Sequence, residues 1–131
     1  MSARVIVGAA IVRGDALLAQ QRAYPPEVAG RWELPGGRVE PGETEPEALR
    51  RECVEELGVE VTVGDRVGAD VPLRANLVLK VYAAALADPA ARPKALEHKD
   101  LRWITGRALD DLRWLPADLE LLPALHELLG R

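Results

Sequence analysis

"GGRVEPGETEPEALRRECVEELGV", residues 36–59, is the stretch around which the rest of this chain can be interpreted. It opens with a glycine pair, carries most of its glutamates in a run of helix-forming residues, and closes on a glycine and a valine. Like charges at helical spacing repel one another. A helix that crowds carboxylates in this way therefore needs something that relieves the repulsion.

The limits of this helix are marked by local signals. Thr44 can act as the N-cap, Pro46 suits the first turn, and Glu47 stands three residues after Thr44, as in a capping box. Gly58 provides the residue that ends the helix. The sequence therefore predicts a helix over about residues 45–57.

The predicted helix has two different faces. At roughly 100° per residue, Glu52, Glu55 and Glu56 fall within about 100° of one another. The opposite face carries the apolar side chains of Leu49, Cys53 and Leu57. The carboxylates are thus expected to converge on the side away from the core.

Two interpretations of this acidic face are open. It can be a solvated surface, which is common, or it can hold a divalent cation. Two neighbouring arginines, Arg50 and Arg51, are too few to neutralise the glutamates at 45, 47, 52, 55 and 56. The backbone carbonyls of Gly36 and Gly37 are open to approach, and clustered hard oxygen atoms are what Mg²⁺ or Mn²⁺ requires.

Composition narrows the class of protein. The 131 residues are 48% hydrophobic and 29% charged, which is ordinary for one globular domain. A net charge of −4 argues against a general nucleic-acid binder. The single cysteine, Cys53, suits a reducing cytoplasm, and the apolar run from Val5 to Val12 is too short for a membrane span.

The remaining chain alternates strands with helices. Residues 4–12 and 16–22 predict a hairpin, and longer strands are predicted over 59–71 and 75–86. A short strand (101–104), a helical turn (106–112) and a C-terminal helix (117–129) are predicted to follow. This order predicts an α/β fold with a mixed sheet and helices on both faces.

The stretch from Gly37 to Val59 resembles the Nudix box of the MutT-like hydrolases. That pattern is Gly, five residues, Glu, seven residues, Arg-Glu, an aliphatic residue, any residue, Glu-Glu, any residue, Gly and an aliphatic residue. The residues that match it in register are Gly37, Glu43, Arg51, Glu52, Glu55, Glu56, Gly58 and Val59. Cys53 departs from it at the first aliphatic position, where a buried cysteine serves as a small hydrophobic side chain.

The resemblance covers nearly the whole chain. The segments "AQQRAYPPEVAGRWELPGG", "EHKDLRWI" and "WLPADLELLPAL" are also similar to MutT-like segments. It implies one domain over residues 1–131, with the box at 37–59, folded as the Nudix α/β/α sandwich with its loop–helix–loop. The implied activity is Mg²⁺-dependent hydrolysis of nucleoside triphosphates such as 8-oxo-dGTP, dGTP or (d)CTP to a monophosphate and pyrophosphate.

Two alternatives to this activity are kept. One is a Nudix hydrolase of another nucleoside diphosphate derivative, such as ADP-ribose. The other is a catalytically silent nucleotide-binding module, which the complete set of box glutamates speaks against. In each case the expected partner is a small nucleotide, with no nucleic acid and no membrane, and the chain is a monomer or a homodimer.

The resemblance also implies roles for the acidic residues. The Gly36 carbonyl and the carboxylates of Glu52, Glu55 and Glu56 would hold Mg²⁺, for which Mn²⁺ can substitute, and Glu52 is the candidate base. Arg51 is expected to orient Glu52 or Glu43, or simply to support the loop. Glu97 is either a further metal ligand or a solvated loop carboxylate.

Three residues outside the box are candidates for contact with substrate. Arg22 resembles a position that meets the phosphates or the base, although it can be a plain surface arginine. Glu33 could touch the base edge. Asp118 resembles the position that reads the nucleobase, and its alternative role is to cap the last helix. The three tryptophans and Cys53 are expected to be core or rim residues, and His98 and His126 to be surface residues.

Overall fold

The computed structural model describes residues 4–130, and strand β1 (Arg4–Arg13) lies at its centre. β1 pairs with β2 (Ala16–Gln21) and β4 (Gly36–Arg38) in antiparallel register and with β6 (Leu77–Leu86) in parallel register. The sheet is therefore mixed, as the sequence predicted.

The other strands extend the sheet from these pairs. β2 pairs antiparallel with the two-residue β3 (Trp32–Glu33) and with β7 (Asp100–Thr105). β5 (Val61–Arg74) pairs antiparallel with β6 and forms the opposite edge of the sheet. Pro72 is accommodated in β5 because an edge strand does not need every backbone N–H for pairing.

The two faces of β1 are both buried, which explains its continuous apolar run. Side chains alternate between the faces of a strand. Val7, Ala9 and Ile11 join one hydrophobic cluster, and Ala10 joins a second one with its neighbours Ile6 and Val12 packed against it. β1 thus separates two cores.

Helix α1 (Glu45–Leu57) covers the first core. Its residues Ala48, Leu49, Cys53 and Leu57 are fully buried against β1. Burial raises the pKa of the Cys53 thiol to about 12, so this cysteine is neutral and behaves as a hydrophobic side chain. The apolar face predicted for the helix is confirmed.

Helix α1 begins and ends where the sequence predicted. The Thr44 side chain accepts a hydrogen bond from the Glu47 N–H (3.2 Å), and the Glu47 carboxylate accepts one from the Thr44 N–H (2.8 Å). Gly58 ends the helix in the left-handed conformation, with φ of 70°. The capping box and the glycine stop are both confirmed.

Removing the cap tests the contribution of these contacts. Thr44→Ala is expected to lower the free energy of unfolding by about 0.5–2 kcal/mol, because the Glu47 N–H loses its acceptor. Urea denaturation measures this, with Thr62→Ala, an exposed threonine of β5, as the control. Equal stability of Thr44→Ala and the wild type would contradict the expectation.

The second core is closed by the C-terminal third of the chain. It is covered by a 3-10 helix (Gly106–Asp111), helix α2 (Pro116–Leu119) and helix α3 (Leu122–Leu128). Trp114, Leu121 and Leu125 are buried there. With α1 on one face of the sheet and these helices on the other, the architecture is an α/β/α sandwich.

One helix prediction was wrong. The sequence predicted a single C-terminal helix over 117–129, and the structure has two short helices instead. Pro123 lies in the first turn of α3. Because proline lacks an N–H and clashes with a preceding helical turn, a continuous helix through this position is unfavourable.

Candidate active site

The glycine pair Gly36–Gly37 brings the loop before α1 against the sheet. Gly36 has φ of 156°, and a Cβ there would collide with the Val7 carbonyl of β1. A Cβ on Gly37 would overlap the carboxylate of Glu52. Gly36 therefore needs glycine so that this segment can lie against β1, and Gly37 leaves the Glu52 carboxylate free to take its present position.

Arg51 holds the acidic face together. Its Nε and Nη2 donate to the two oxygens of Glu43 at 2.7 and 2.9 Å, a bidentate ion pair. Its Nη1 lies 3.2 Å from Glu52 Oε2 and 3.4 Å from Glu55 Oε2. The hydrogen bonds from Arg51 lower the pKa of Glu43 to about 2, so Glu43 stays ionised.

Glu56 is the buried carboxylate of the group. Its Oε1 accepts hydrogen bonds from the Gly36 N–H and from Gln20 Nε2, both at 3.1 Å. Burial raises its pKa to about 7, although these two donors and His98 favour the charged form. Glu52 also has a raised pKa, and burial is again the main cause.

The three carboxylates do not converge as closely as the sequence predicted. Within residues 4–130, no three Asp, Glu, His or Cys side chains are already placed to hold one ion. The reason is that Arg51 draws Glu52 and Glu55 towards itself, while Glu56 points to Gln20 and Gly36.

The donor set nevertheless fits a divalent cation. It consists of carboxylate oxygens, which Mg²⁺ and Mn²⁺ prefer. Gly37 carries no side chain where it faces the Glu52 carboxylate, and in the described part of the chain the buried Gln20 Oε1 has no hydrogen-bond partner. A bound dication would offset the cost of burying the Glu56 charge.

A cavity of about 270 Å³ opens next to these carboxylates. One end is lined by Glu56, Gly36, Gly37 and Arg22. The other end is apolar apart from one carboxyl group, and it is lined by Ile6, Leu34, Leu79, Val81, Leu115, Ala117 and Asp118. Glu56, one residue of the acidic face of α1, and an apolar pocket therefore belong to one continuous site.

Asp118 is a buried part of this cavity. Leu34 N–H donates to its Oδ2 at 3.0 Å, and burial raises the pKa of the carboxyl to about 7. The alternative of an N-cap is wrong, because α2 begins after Leu115 and has no side-chain cap. Asp118 lies inside the helix and faces the site.

Arg22 and Glu33 form an ion pair at the rim of the cavity. Arg22 Nη1 lies 3.2 Å from Glu33 Oε2, and Arg22 Nε donates to the Tyr24 carbonyl at 3.1 Å. A second cavity of about 180 Å³ is lined by Arg22, Tyr24, Glu56, Glu97 and His98. Arg22 and Glu56 line both cavities, so Glu97 lies on the same side of the molecule as the predicted site residues.

Sequence reasoning missed two side chains of this site. His98, predicted to be on the surface, is mostly buried, and its Nε2 lies 2.7 Å from Glu33 Oε2. Gln20 is fully buried and contacts Glu56. Gln20 follows four apolar residues, 16–19, and continues their buried pattern, which was the signal that could have identified it.

The NUDIX domain profile matches residues 2–125 of the chain. The chain belongs to the NUDIX domain family. The predicted fold class and the prediction of a Nudix hydrolase are confirmed, and members of this family generally act with a divalent metal ion. Among the described residues, no helix is long and apolar enough to cross a membrane.

Two relatives of known name are similar over most of their length. The "Putative 8-oxo-dGTP diphosphatase 2" of Mycobacterium tuberculosis (strain H37Rv) is 50% identical over 118 residues, which is 88% of this chain and 82% of that protein. The "CTP pyrophosphohydrolase" of Escherichia coli (strain K12) is 36% identical over 123 residues, which is 94% of this chain and 91% of the relative.

Solved structures share the fold. The solution structure of the E. coli ORF135 protein superposes with a TM-score of 0.82 at 35% identity, and covers 98% of this chain and 91% of its own. A MutT NUDIX hydrolase from Burkholderia pseudomallei has a TM-score of 0.77 at 33% identity, with 92% and 96% covered.

Proposed function

We propose that this Nudix hydrolase is a nucleoside triphosphate pyrophosphohydrolase that converts 8-oxo-dGTP, dGTP or (d)CTP to the monophosphate and pyrophosphate. The observation that carries the proposal is the continuous cavity, which has the Glu56 carboxylate, Arg22 and glycine backbone at one end and an apolar, Asp118-containing pocket at the other. One end suits phosphates with a divalent cation, and the other suits a planar base. The names of both relatives support this substrate class.

The base pocket is built from the second core. Leu79 and Val81 come from β6, Leu34 from the loop before β4, and Asp118 from α2. Apolar walls bury the faces of a ring, while a few polar groups fix its orientation. Asp118 and the Glu33 carboxylate at the rim are the side chains placed to meet the polar edge of a base.

The phosphate end would hold Mg²⁺, or Mn²⁺ in its place. The proposed ligands are the Gly36 carbonyl and the carboxylates of Glu52, Glu55 and Glu56, with Glu97 as a further candidate. When bound, the cation supplies charge for the phosphate oxygens and acidifies a bound water. Arg22 would contact the phosphates or the base.

Glu52 is the proposed base, and Arg51 is its positioning residue. Burial raises the pKa of Glu52, so its carboxylate is a better proton acceptor than an exposed one. Arg51 donates to Glu52 while Glu43 fixes its guanidinium from the other side. In this arrangement the Glu52 carboxylate lies beside Gly37.

The size of the cavity also bears on the alternative substrate, ADP-ribose. At about 270 Å³ it lies just below the usual range of roughly 300–1,000 Å³ for whole drug-sized ligands, so it suits one base and the phosphates nearest Glu56. ADP-ribose carries a second sugar, which would have to lie outside this cavity. We further propose that residues 1–131 act as one catalytic domain, as a monomer or homodimer in the cytoplasm.

The products test the proposed reaction. Hydrolysis of dCTP or 8-oxo-dGTP in ¹⁸O-water is expected to place the label in pyrophosphate, because attack at the β-phosphorus leaves the bridging oxygen on the monophosphate. Mass spectrometry of both products measures this. EDTA should abolish the reaction, and Mg²⁺ or Mn²⁺ should restore it.

Other outcomes separate the alternatives. Release of orthophosphate, or label only in the monophosphate, would contradict cleavage at the β-phosphorus. Turnover of ADP-ribose in preference to every triphosphate would favour the second hydrolase class. Nucleotide binding without any turnover in Mg²⁺ or Mn²⁺ would favour the silent module.

A further inference from the structure

Gln20 is a buried polar side chain to which the proposed reaction assigns no role. It is fully buried in β2, between Ala19 and Gln21, on a strand that is otherwise apolar inside. Its Oε1 is buried and has no hydrogen-bond partner among residues 4–130. An unsatisfied buried polar group lowers the stability of a folded protein, so this amide is a poor choice for stability alone.

The Gln20 amide makes one firm hydrogen bond, and it goes to Glu56. Nε2 donates to Glu56 Oε1 at 3.1 Å. The other neighbour of Nε2 is His98 Nε2, at 3.4 Å. That histidine nitrogen lies 2.7 Å from Glu33 Oε2, so it is better placed to donate to Glu33 than to accept from Gln20.

Gln20 and the glycine loop act on the same oxygen of Glu56. The Gly36 N–H also donates to Glu56 Oε1, at 3.1 Å. Two donors thus fix Oε1 and set the direction of the carboxylate, while its other oxygen, Oε2, is not used by either of them. This is the arrangement by which outer residues orient a metal-binding carboxylate.

We infer that Gln20 is a positioning residue that orients Glu56 for the divalent cation. This inference rests on the proposed function, since it assigns Glu56 to the cation. It predicts that the Gln20 amide contributes to metal affinity and not to stability. If Gln20 only supported the fold, its replacement would lower stability and leave metal affinity unchanged.

The test is Gln20→Met, which keeps the length of the side chain and removes both the donor and the unsatisfied oxygen. Mn²⁺ binding is measured without nucleotide, by electron paramagnetic resonance of the free ion. Loss of an outer-shell partner typically weakens metal binding about 10- to 100-fold, and we expect a loss in this range. The melting temperature in EDTA should stay equal or rise.

Gln21→Met is the matched control. Gln21 is the next residue, but its Nε2 donates to the Gly30 carbonyl at 3.0 Å, away from Glu56. Its Mn²⁺ affinity should equal that of the wild type. In turnover assays, Gln20→Met should need more Mn²⁺ for half-maximal rate and should recover part of kcat at saturating Mn²⁺, with a smaller change in the nucleotide KM.

The outcomes distinguish this inference from the proposed function. Wild-type protein that binds no Mn²⁺ would overturn the proposed function itself. Wild-type binding with an unchanged affinity in Gln20→Met would overturn only the role of Gln20. A melting temperature well below that of the wild type would also overturn it, because the amide would then serve the fold.

Discussion

Glu56→Gln is expected to lose at least about 100-fold in kcat while the protein stays folded. Even residues that only orient a metal ligand cost about 10–100-fold when replaced, and Glu56 is a proposed ligand itself. The amide keeps the shape of the side chain and an oxygen that can accept from Gly36 and Gln20. The change therefore removes charge without opening a cavity.

The same substitution, Glu56→Gln, is expected to raise stability relative to the wild type as the pH rises. Burial raises the pKa of Glu56 from 4.5 to about 7 in the folded chain. A raised carboxyl pKa means that the folded state holds its proton longer than the unfolded one, so stability is lost as the pH rises from about 4.5 to 7. Glu56→Gln does not titrate, and should gain relative to the wild type by about 1–3 kcal/mol between pH 5 and pH 8.

Urea unfolding in EDTA at both pH values measures this gain, and a metal titration of turnover measures the loss of kcat. Glu60→Gln is the matched control, because Glu60 is an exposed carboxylate just beyond α1. It should change neither quantity. Turnover of Glu56→Gln at the wild-type rate would show that Glu56 is not a metal ligand of the active site. If the stability of both proteins changed equally with pH, the raised pKa of Glu56 would be contradicted.

Local signals explain why helix α1 could be predicted to the residue. Thr44, Glu47 and Gly58 act on backbone groups only a few residues away, so their effect does not depend on the rest of the fold. The continuous apolar run of β1 is likewise a local signal, typical of a strand that is buried on both faces. The fixed spacing of the box glutamates also predicted that Glu52 and Glu55 share one face of α1, and Arg51 contacts both of them in the structure.

The features that sequence missed depend on contacts between distant segments. Gln20 meets Glu56 across 36 residues, and His98 meets Glu33 across 65. No local pattern fixes such pairs, because they form only when β2, β3 and α1 are assembled. The break in the C-terminal helix is different, because Pro123 is a local signal that is present in the sequence. The leucines around it favoured the prediction of one continuous helix.

Asp118 shows how a burial that sequence does not reveal changes a chemical prediction. From the sequence, an ionised Asp118 is expected to accept a hydrogen bond from the amine of cytosine or from an N–H of 8-oxoguanine. In the structure, burial raises its pKa to about 7. The carboxyl therefore titrates near neutral pH and can either accept or donate a hydrogen bond.

The preference between pyrimidines should consequently depend on pH. Above pH 7, the ionised carboxylate favours the N4 amine of cytosine and repels the O4 carbonyl of uracil or thymine. Below pH 7, the protonated acid can donate to that carbonyl. The ratio of kcat/KM for CTP over UTP is expected to rise from pH 6 to pH 8 in the wild type and to stay flat in Asp118→Asn, whose amide does not titrate.

Removal of the Asp118 carboxyl group should lower kcat/KM strongly for some nucleotides and only slightly for others. An unpaired amine on a bound base costs roughly 1–3 kcal/mol, so Asp118→Ala is expected to lower kcat/KM on CTP or 8-oxo-dGTP by about 5- to 150-fold at pH 8. The loss on dTTP should be much smaller, since no favourable bond is removed. Glu120→Ala, an exposed carboxylate just after α2, is the control and should change neither substrate.

The measurement also separates recognition from support of the fold. Asp118 Oδ2 holds the Leu34 N–H, so its loss can loosen the cavity wall and weaken every substrate alike. An equal loss on CTP, 8-oxo-dGTP and dTTP, together with a lower melting temperature, would assign Asp118 to that structural bond. A loss confined to bases with an N–H at the Asp118 edge, combined with the pH-dependent ratio, would require that the carboxyl group meets the base directly.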